Sequence, residues 1–281
     1  MSGKERDRKG PPLIVAASVC WSIGGLCIKF IPWGAMSIIG LRSLIAALVF
    51  ILIRRSVKIA FTRGNILAAV SLSLTMTLFV FANKLTTAAA AILLQFSSPI
   101  FIILMHLFFY RKKPRLSELA AVLVTLCGMV LFFLDRLEAG SVLGNLLAIA
   151  SGVAFAGVFV CNRRADTQPE QAQLLGFLLN AAVGVPFAFF EVTADPVSWG
   201  FLLLLGTVQV GLAYYLFSAG IKTTPALLAC LITALEPVLN PLWVALATGE
   251  VPGRFAAAGG AVIVITVVVY NIWAEKKSLA T

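Results

Sequence analysis

Pro99 and Pro114 recur 138 residues later as Pro237 and Pro252. At the same offset Lys84 is answered by Lys222, Thr86 by Thr224, Ala88 by Ala226, Ala91 by Ala229, Ala120 by Ala258 and Val124 by Val262. Matching alanines and valines are common in so apolar a chain, whereas two prolines and a lysine in register are not. The repeat is set in a sequence built almost wholly of apolar stretches about 20 residues long, each enough to cross a ~30 Å hydrocarbon core as a helix. Ten are read, at 12–31, 35–53, 64–83, 86–109, 116–134, 141–162, 172–190, 198–219, 225–247 and 254–273, here called spans 1 to 10. Short basic or Gly/Pro loops separate them, and nothing is left over for a soluble domain. Charged residues make up only 12% of the chain and mean hydropathy is +0.99, against about 25% charged residues in soluble proteins.

The matched stretches open at Lys84, before span 4, and at Lys222, before span 9, so the unit of repetition holds five spans. An odd number makes the second copy enter the membrane upside down. Spans 1 and 6 match as well, at a slightly shorter interval: Ala17-Ser18 with Ala150-Ser151, and Gly24 with Gly157. The expected fold class is therefore all-α integral membrane, with ten transmembrane helices as two inverted five-helix repeats about a two-fold axis in the membrane plane. The expected division is a cytoplasmic tail at 1–11, a first repeat at 12–134, a second at 135–273 and a cytoplasmic tail at 274–281. Small residues four apart, Gly152 with Ala156 and Ala256 with Gly260, mark faces where helices can approach closely, or simply reflect the abundance of small residues in membrane helices.

The net charge of +10 suggests a nucleic-acid partner until the charges are placed. Lys4, Arg6, Arg8 and Lys9 precede span 1; Arg54, Arg55, Lys58 and Arg63 follow span 2; Arg111, Lys112, Lys113 and Arg115 follow span 4. Arg163 and Arg164 follow span 6, Lys222 follows span 8, and Lys276 and Lys277 close the chain. These seventeen lie on one side, against Lys29, Lys84, Arg136 and Arg254 on the other. Cytoplasmic loops carry the excess of Lys and Arg, so the charge predicts a multi-pass protein with both termini cytoplasmic, not a nucleic-acid binder. The basic head leads into an apolar run too long for a signal-peptide core. Five cysteines, an odd number without a C-x-x-C pair, indicate neither a disulfide framework nor a zinc site, and no metal or other cofactor is expected. The single histidine, His106, is read as structural. Catalysis is not expected: the chain has no paired intramembrane carboxylates and no nucleophile motif, and no nucleotide-binding G-x-x-x-x-G-K-[ST] loop.

The stretch from Leu85 to Phe101, LTTAAAAILLQFSSPIF, and its second copy, Thr223-Thr-Pro-Ala followed by Leu235-Glu-Pro-Val-Leu239 and Gly249-Glu250, resemble the EamA-type transporters of the drug/metabolite transporter superfamily. Ala17-Ser-x-x-Trp21-Ser-x-Gly24 and an arginine early in span 2, Arg42, are similar to that family too. The resemblance covers essentially the whole chain. It implies a ten-helix basket with a central cavity lined mainly by spans 1–4 and 6–9. It also implies alternating-access movement of a small organic metabolite across the inner membrane, commonly outward. One departure stands out: the Gly-Glu expected after span 4 reads Arg111-Lys112, so Glu250 lacks an acidic counterpart in the first copy.

Within that frame several residues are placed to carry transport. Glu236 sits midway along span 9, where a bare carboxylate is costly and usually functional. It is positioned to exchange a proton for a cationic or amino-bearing substrate, or else it is a protonated packing element. Pro99 and Pro237, as hinges, free the carbonyls of Gln95 and Thr233, and broken helices at matched positions point to a transporter's site. Gln95, Ser98, Thr233 and Glu236 are accordingly expected near one cavity, Ser98 being the repeat-mate of Glu236. Arg42 is placed to pair with Glu236, to bind a substrate carboxylate, or to snorkel to the outer interface. Asn180 and Gln209 are further buried polar groups that need partners. Trp21 falls mid-span, and with Phe155, Tyr214 and Tyr215 it is positioned to build an aromatic wall for an aromatic or cationic ligand, or to pack helices. The expected activity is secondary transport of an amino acid, amine or related compound, with export favoured and proton coupling open. An importer or uncoupled facilitator of a cationic or aromatic molecule is the alternative, and a channel or non-transporting receptor the reading from another class. Expected partners are the small-molecule substrate and the bilayer, with protons and a homodimer left open.

Overall fold

The computed structural model describes residues 9–24, 27, 30–134, 141–239, 243 and 253–280. Gly249, Glu250, Pro252, Lys29 and Arg136 lie outside the described residues. Among those described, eight helices are long and apolar enough to cross a membrane, and two shorter apolar helices, Gly10–Ser22 and Ala226–Leu239, occupy spans 1 and 9. The helices begin where the sequence offers caps. The Thr62 hydroxyl accepts the Asn65 N–H at 3.1 Å to start span 3, Thr87 accepts that of Ala90 at 3.2 Å to start span 4, and the Asp195 carboxylate accepts that of Ser198 at 2.9 Å to start span 8. Pro169 and Pro196 occupy first-turn positions of spans 7 and 8, where a missing N–H costs nothing.

Span 1 carries an interruption and span 10 a longer helix than the apolar run. In span 1 the regular helix Gly10–Ser22 gives way to a turn at Ile23, and Gly24 and Cys27 are helical again, the Cys27 N–H reaching the Ile23 carbonyl at 3.3 Å. The Ser22 hydroxyl takes the Val19 carbonyl at 2.6 Å, and the Ile23 N–H turns back to the Trp21 carbonyl, so a side chain competes with the helical ladder. Span 10 runs on from 273 to Ala280, since nothing in its C-terminal residues breaks a helix.

Spans 4 and 9 are each broken, at matched places. Ala88–Gln95 and Ser98–Tyr110 are separate helices with the break at Phe96–Ser97, and Ala226–Thr233 ends at Ala234, 138 residues after Phe96. Pro99 and Pro237 cannot donate to the carbonyls of Gln95 and Thr233. The chain tightens there instead, Ser97 N–H reaching Leu94 O at 3.2 Å and Ala234 N–H reaching Leu231 O at 3.1 Å.

The packing obeys an exchange of spans 1–5 with spans 6–10. Span 3 packs on 6 as 8 packs on 1; span 7 on 3 as 2 on 8; span 4 on 6 as 9 on 1; and 2 on 7 and 5 on 10 map onto themselves. Close approaches recur between the halves at nearly the same offsets. A Cβ on Gly24 would meet Gln209 at 2.8 Å, and one on Gly157 would meet Ser71 at 2.7 Å; a Cβ on Gly10 would strike Thr224, and one on Gly144 would strike Thr86. At the self-paired crossings, Gly40 lies against Gly184 and Gly128 against Gly259, backbone on backbone. Gly152 is pressed against the break of span 4, its Cβ position 2.9 Å from the Gln95 carbonyl oxygen. The symmetry fails in span 8, where Leu205–Leu212 is wound as a π-helix while the matched part of span 3 is α-helical.

Candidate functional site

The core of the bundle, where the cavity is expected, holds a cluster of aromatic rings from six spans. Trp21 meets Tyr214 edge-on at 4.8 Å between centroids and Phe217 at 5.6 Å; Phe217 continues to Phe159 at 5.6 Å and Phe159 to Phe155 at 4.8 Å. Tyr214 meets Phe177 at 5.5 Å, Phe177 meets Phe50 at 5.2 Å, and Phe50 meets Tyr215 at 6.1 Å. Phe155 reaches Phe96 at 6.3 Å beside the break of span 4. Edge-to-face contacts predominate, the arrangement the ring quadrupoles favour.

Polar atoms without partners gather beside Trp21 and Tyr214. Trp21 is 5% exposed and its indole Nε1 has no hydrogen-bond partner; the same holds for Arg42 Nε and Gln209 Oε1, both residues being 9% exposed. The Gln209 amide nitrogen donates to the Trp21 backbone carbonyl at 3.4 Å, a bond the widened π-turn of span 8 sets up against Gly24. Arg42 is buried in the bundle, 9% exposed. Its guanidinium is within electrostatic reach of both Tyr214 and the half-buried Glu236, without an ion-pair contact to either. Each buried orphan costs about 1–3 kcal/mol, a penalty that a ligand supplying the partner removes. Chemically the set is divided: Trp21 Nε1 and Arg42 Nε are donors, able to bond an anionic group, while Gln209 Oε1 and the Glu236 carboxylate are acceptors, able to bond a cationic one.

The other candidates from the sequence are engaged elsewhere. The Gln95 amide donates to Ser151 Oγ at 2.7 Å, and Ser151 donates to the Thr75 carbonyl at 3.0 Å, tying the break of span 4 to spans 3 and 6. Ser98 shares a 3.2 Å hydrogen bond with Cys230 that joins the broken segments of spans 4 and 9, and the Thr233 hydroxyl donates to the Cys230 carbonyl at 2.7 Å within span 9 itself. Asn180 accepts from Ser73 at 2.7 Å and lies 2.9 Å from the Met76 sulfur, linking spans 3 and 7. The sequence reading missed Gln173, 1% exposed with both amide atoms unpartnered, and the rings of Phe159, Phe177 and Phe217. Gln173, Phe177 and Asn180 follow the i, i+4, i+7 spacing of one helix face, a signal that was present.

The two ends of the bundle differ. At the end holding Trp33, Ser37 donates to the Glu191 carboxylate at 2.6 Å, Trp33 Nε1 donates to Thr193 at 3.1 Å and stacks edge-on with Trp199 at 5.4 Å, and Thr86 donates to Asn145 at 2.8 Å. At the Arg163 end two clefts open. One of about 310 Å³ is walled by Asn162, Arg163, Thr167, Glu170 and Lys222; the other, of about 620 Å³, by His106, Tyr110, Lys112, Val160 and Asp166. Between them the loop before span 3 is clasped to the loop before span 7: Asp166 accepts from Gly64 N–H at 2.9 Å and from Arg164 at 2.9 Å, and the Thr62 hydroxyl donates to the Asp166 carbonyl at 2.7 Å. The Arg164 guanidinium holds the Asp166 carboxyl below the usual carboxylate range.

Comparison with known proteins agrees with this architecture. The model of the EamA-like transporter family matches residues 8–134 and again 142–272. The chain is 27% identical over 221 residues to the uncharacterized transporter YwfM of Bacillus subtilis, covering 76% of this chain and 75% of that one. It is 29% identical over 194 residues to the aromatic amino acid exporter YddG of Ancylobacter novellus, covering 65% and 67%. A solved crystal structure superposes with a TM-score of 0.79 over 95% of this chain and 98% of that one, at 23% identity, a likeness of fold.

Proposed function

The chain belongs to the EamA-like transporter family, and from that premise we propose that it exports a zwitterionic aromatic metabolite, an aromatic amino acid or a close relative, by alternating access across the inner membrane with both termini cytoplasmic. The observation that carries this reading is the group of orphaned polar atoms set on the aromatic cluster. Trp21 Nε1 and Arg42 Nε suit a carboxylate, Gln209 Oε1 and Glu236 suit an ammonium group, and Tyr214, Phe217 and Phe177 suit a ring. A neutral apolar substrate leaves the three orphaned atoms, Trp21 Nε1, Arg42 Nε and Gln209 Oε1, unsatisfied. The name of the 29% identical exporter from Ancylobacter novellus points the same way. The broken spans 4 and 9 supply the moving parts, because at each break the helical ladder is interrupted by a proline and the chain is free to bend there. Protons are assigned to Glu236, which takes up a proton when the ammonium group leaves.

The test is counterflow of labelled phenylalanine in proteoliposomes, with and without a pH gradient. Wild-type protein is expected to exchange phenylalanine and to discriminate against its amine and its deaminated acid. Arg42→Gln is expected to abolish preference for the carboxylate, and Glu236→Gln to abolish the effect of the gradient. A Glu236→Gln protein that keeps both its binding and its pH response rules out the coupling role.

A further inference from the structure

The cleft of about 310 Å³ at the Arg163 end carries the features of a binding site in its own right. Asn162, one of its walls, is 3% exposed; its amide nitrogen donates to the Val158 carbonyl at 2.7 Å, which fixes the amide orientation and leaves Oδ1 without a partner. Pro169 begins span 7 at the same cleft, and Gln168 offers no side-chain cap, so the positive end of a 23-residue helix is uncapped there. Lys222 and Glu170 face each other across the cleft at 2.6 Å, with side chains 45% and 28% exposed, a pair that solvent already screens and that a ligand opens at little cost. Arg163 is anchored by donating to the Ile221 and Lys222 carbonyls, which places its charge at the rim. One turn further along span 7, and one turn before Phe177 of the aromatic cluster, Gln173 is buried with two more unpartnered polar atoms.

We infer that this cleft is a second, vestibular binding site for the zwitterionic end of an amino acid. The carboxylate lies against Lys222, Arg163 and the start of span 7, and the ammonium group lies against Glu170 and Asn162 Oδ1. The Lys222–Glu170 pair is what the ligand divides, one charge for each of its own. Gln173 then offers both a donor and an acceptor on the way to Trp21, so the molecule never loses all polar partners at once. The ligand class rests on the transport reading above, while the site itself rests on residues that reading does not use.

Saturation binding of labelled phenylalanine to the full chain in detergent, counted per chain, tests it. Two molecules per chain are expected for the wild type, with phenethylamine and phenylpropionate each competing poorly. The charge-swapped double variant Glu170→Lys with Lys222→Glu keeps an ion pair but misplaces its charges, and Asn162→Leu keeps the volume but removes the acceptor. Each is expected to bind one molecule per chain, the lost site weakened about tenfold or more, with unchanged elution as a monodisperse protein. Trp21→Ala is expected to lose the other molecule. Two molecules in both cleft variants, or a single wild-type molecule that Trp21→Ala removes, overturns the vestibular site and leaves the central one standing. A single molecule that Trp21→Ala spares and the cleft variants remove does the reverse, and no binding at all overturns both.

Discussion

The crossing of spans 2 and 7 gives the sharpest stability prediction, because the atoms that collide there are backbone. A Cβ on Gly40 lands on the Gly184 carbonyl carbon and the Val185 nitrogen, and one on Gly184 lands 2.6 Å from the Gly40 Cα. Cβ contacts in folded proteins essentially never fall below 3.0 Å, and here no rotamer can give way. The helices must therefore separate, at a cost of about 1–3 kcal/mol for an overpacked contact. Gly200 provides the control, since a Cβ there meets nothing within 4 Å. Gly200→Ala keeps the gain in helix propensity of up to about 1 kcal/mol without the clash. At roughly 2–4 °C per kcal/mol for a chain of this size, Gly40→Ala should melt on the order of 5–10 °C below Gly200→Ala, read as the loss of monodisperse protein after stepwise heating in detergent. Gly40→Ala combined with Gly184→Ala should cost less than the sum of the two, because the first Cβ already parts the helices. Arg42 sits two residues from the crossing, so transport should fall with stability. If Gly40→Ala and Gly200→Ala melt together, the two-fold axis does not pass through this contact and the inverted packing is misassigned.

Restoring the missing backbone donors with Pro99→Ala or Pro237→Ala should let spans 4 and 9 run straighter, slowing exchange at least several-fold while equilibrium binding changes less. Equal loss in binding and exchange would assign the prolines to the site and not to the motion. The Asp166 clasp should respond to acid: its carboxyl titrates below the free value because Arg164 bonds it, so its contribution is complete above the unfolded value and is lost as pH falls through the folded one. Protection of the Gly64 amide, its exchange rate taken relative to the intrinsic rate at each pH, should therefore fall on acidification, and Asp166→Asn should show the low protection already at neutral pH. Cysteines placed at Lys84 and at Lys222 should label from opposite faces of the membrane; labelling from one face would remove the inversion.

Much of this protein was legible one residue at a time. Lengths near 20 apolar residues specify helices that cross lipid, since hydrocarbon leaves the backbone no other partner. The 138-residue offset of Pro99 and Pro237 located both helix breaks, because a proline removes its donor wherever it falls. The pairing of Trp21 with Tyr214 was legible from their positions along the spans. The turn at Ile23 within span 1 was not legible, because Ser22 competes with the backbone in a way hydropathy does not register.

What the tertiary structure alone decided is which polar group finds a partner. Gln95, Ser98, Thr233 and Asn180 have the same character on paper as Arg42, Gln209 and Gln173. The first four meet Ser151, Cys230 and Ser73 across helix contacts, or bond back to their own helix, and the others keep atoms with nothing to bond. Hydrogen bonds act over about 3 Å and depend on direction. Their satisfaction therefore turns on the rotation of one helix against the next, as the π-wound turn at Gln209 shows. That rotation is set by packing among many spans, and no single stretch of sequence contains it.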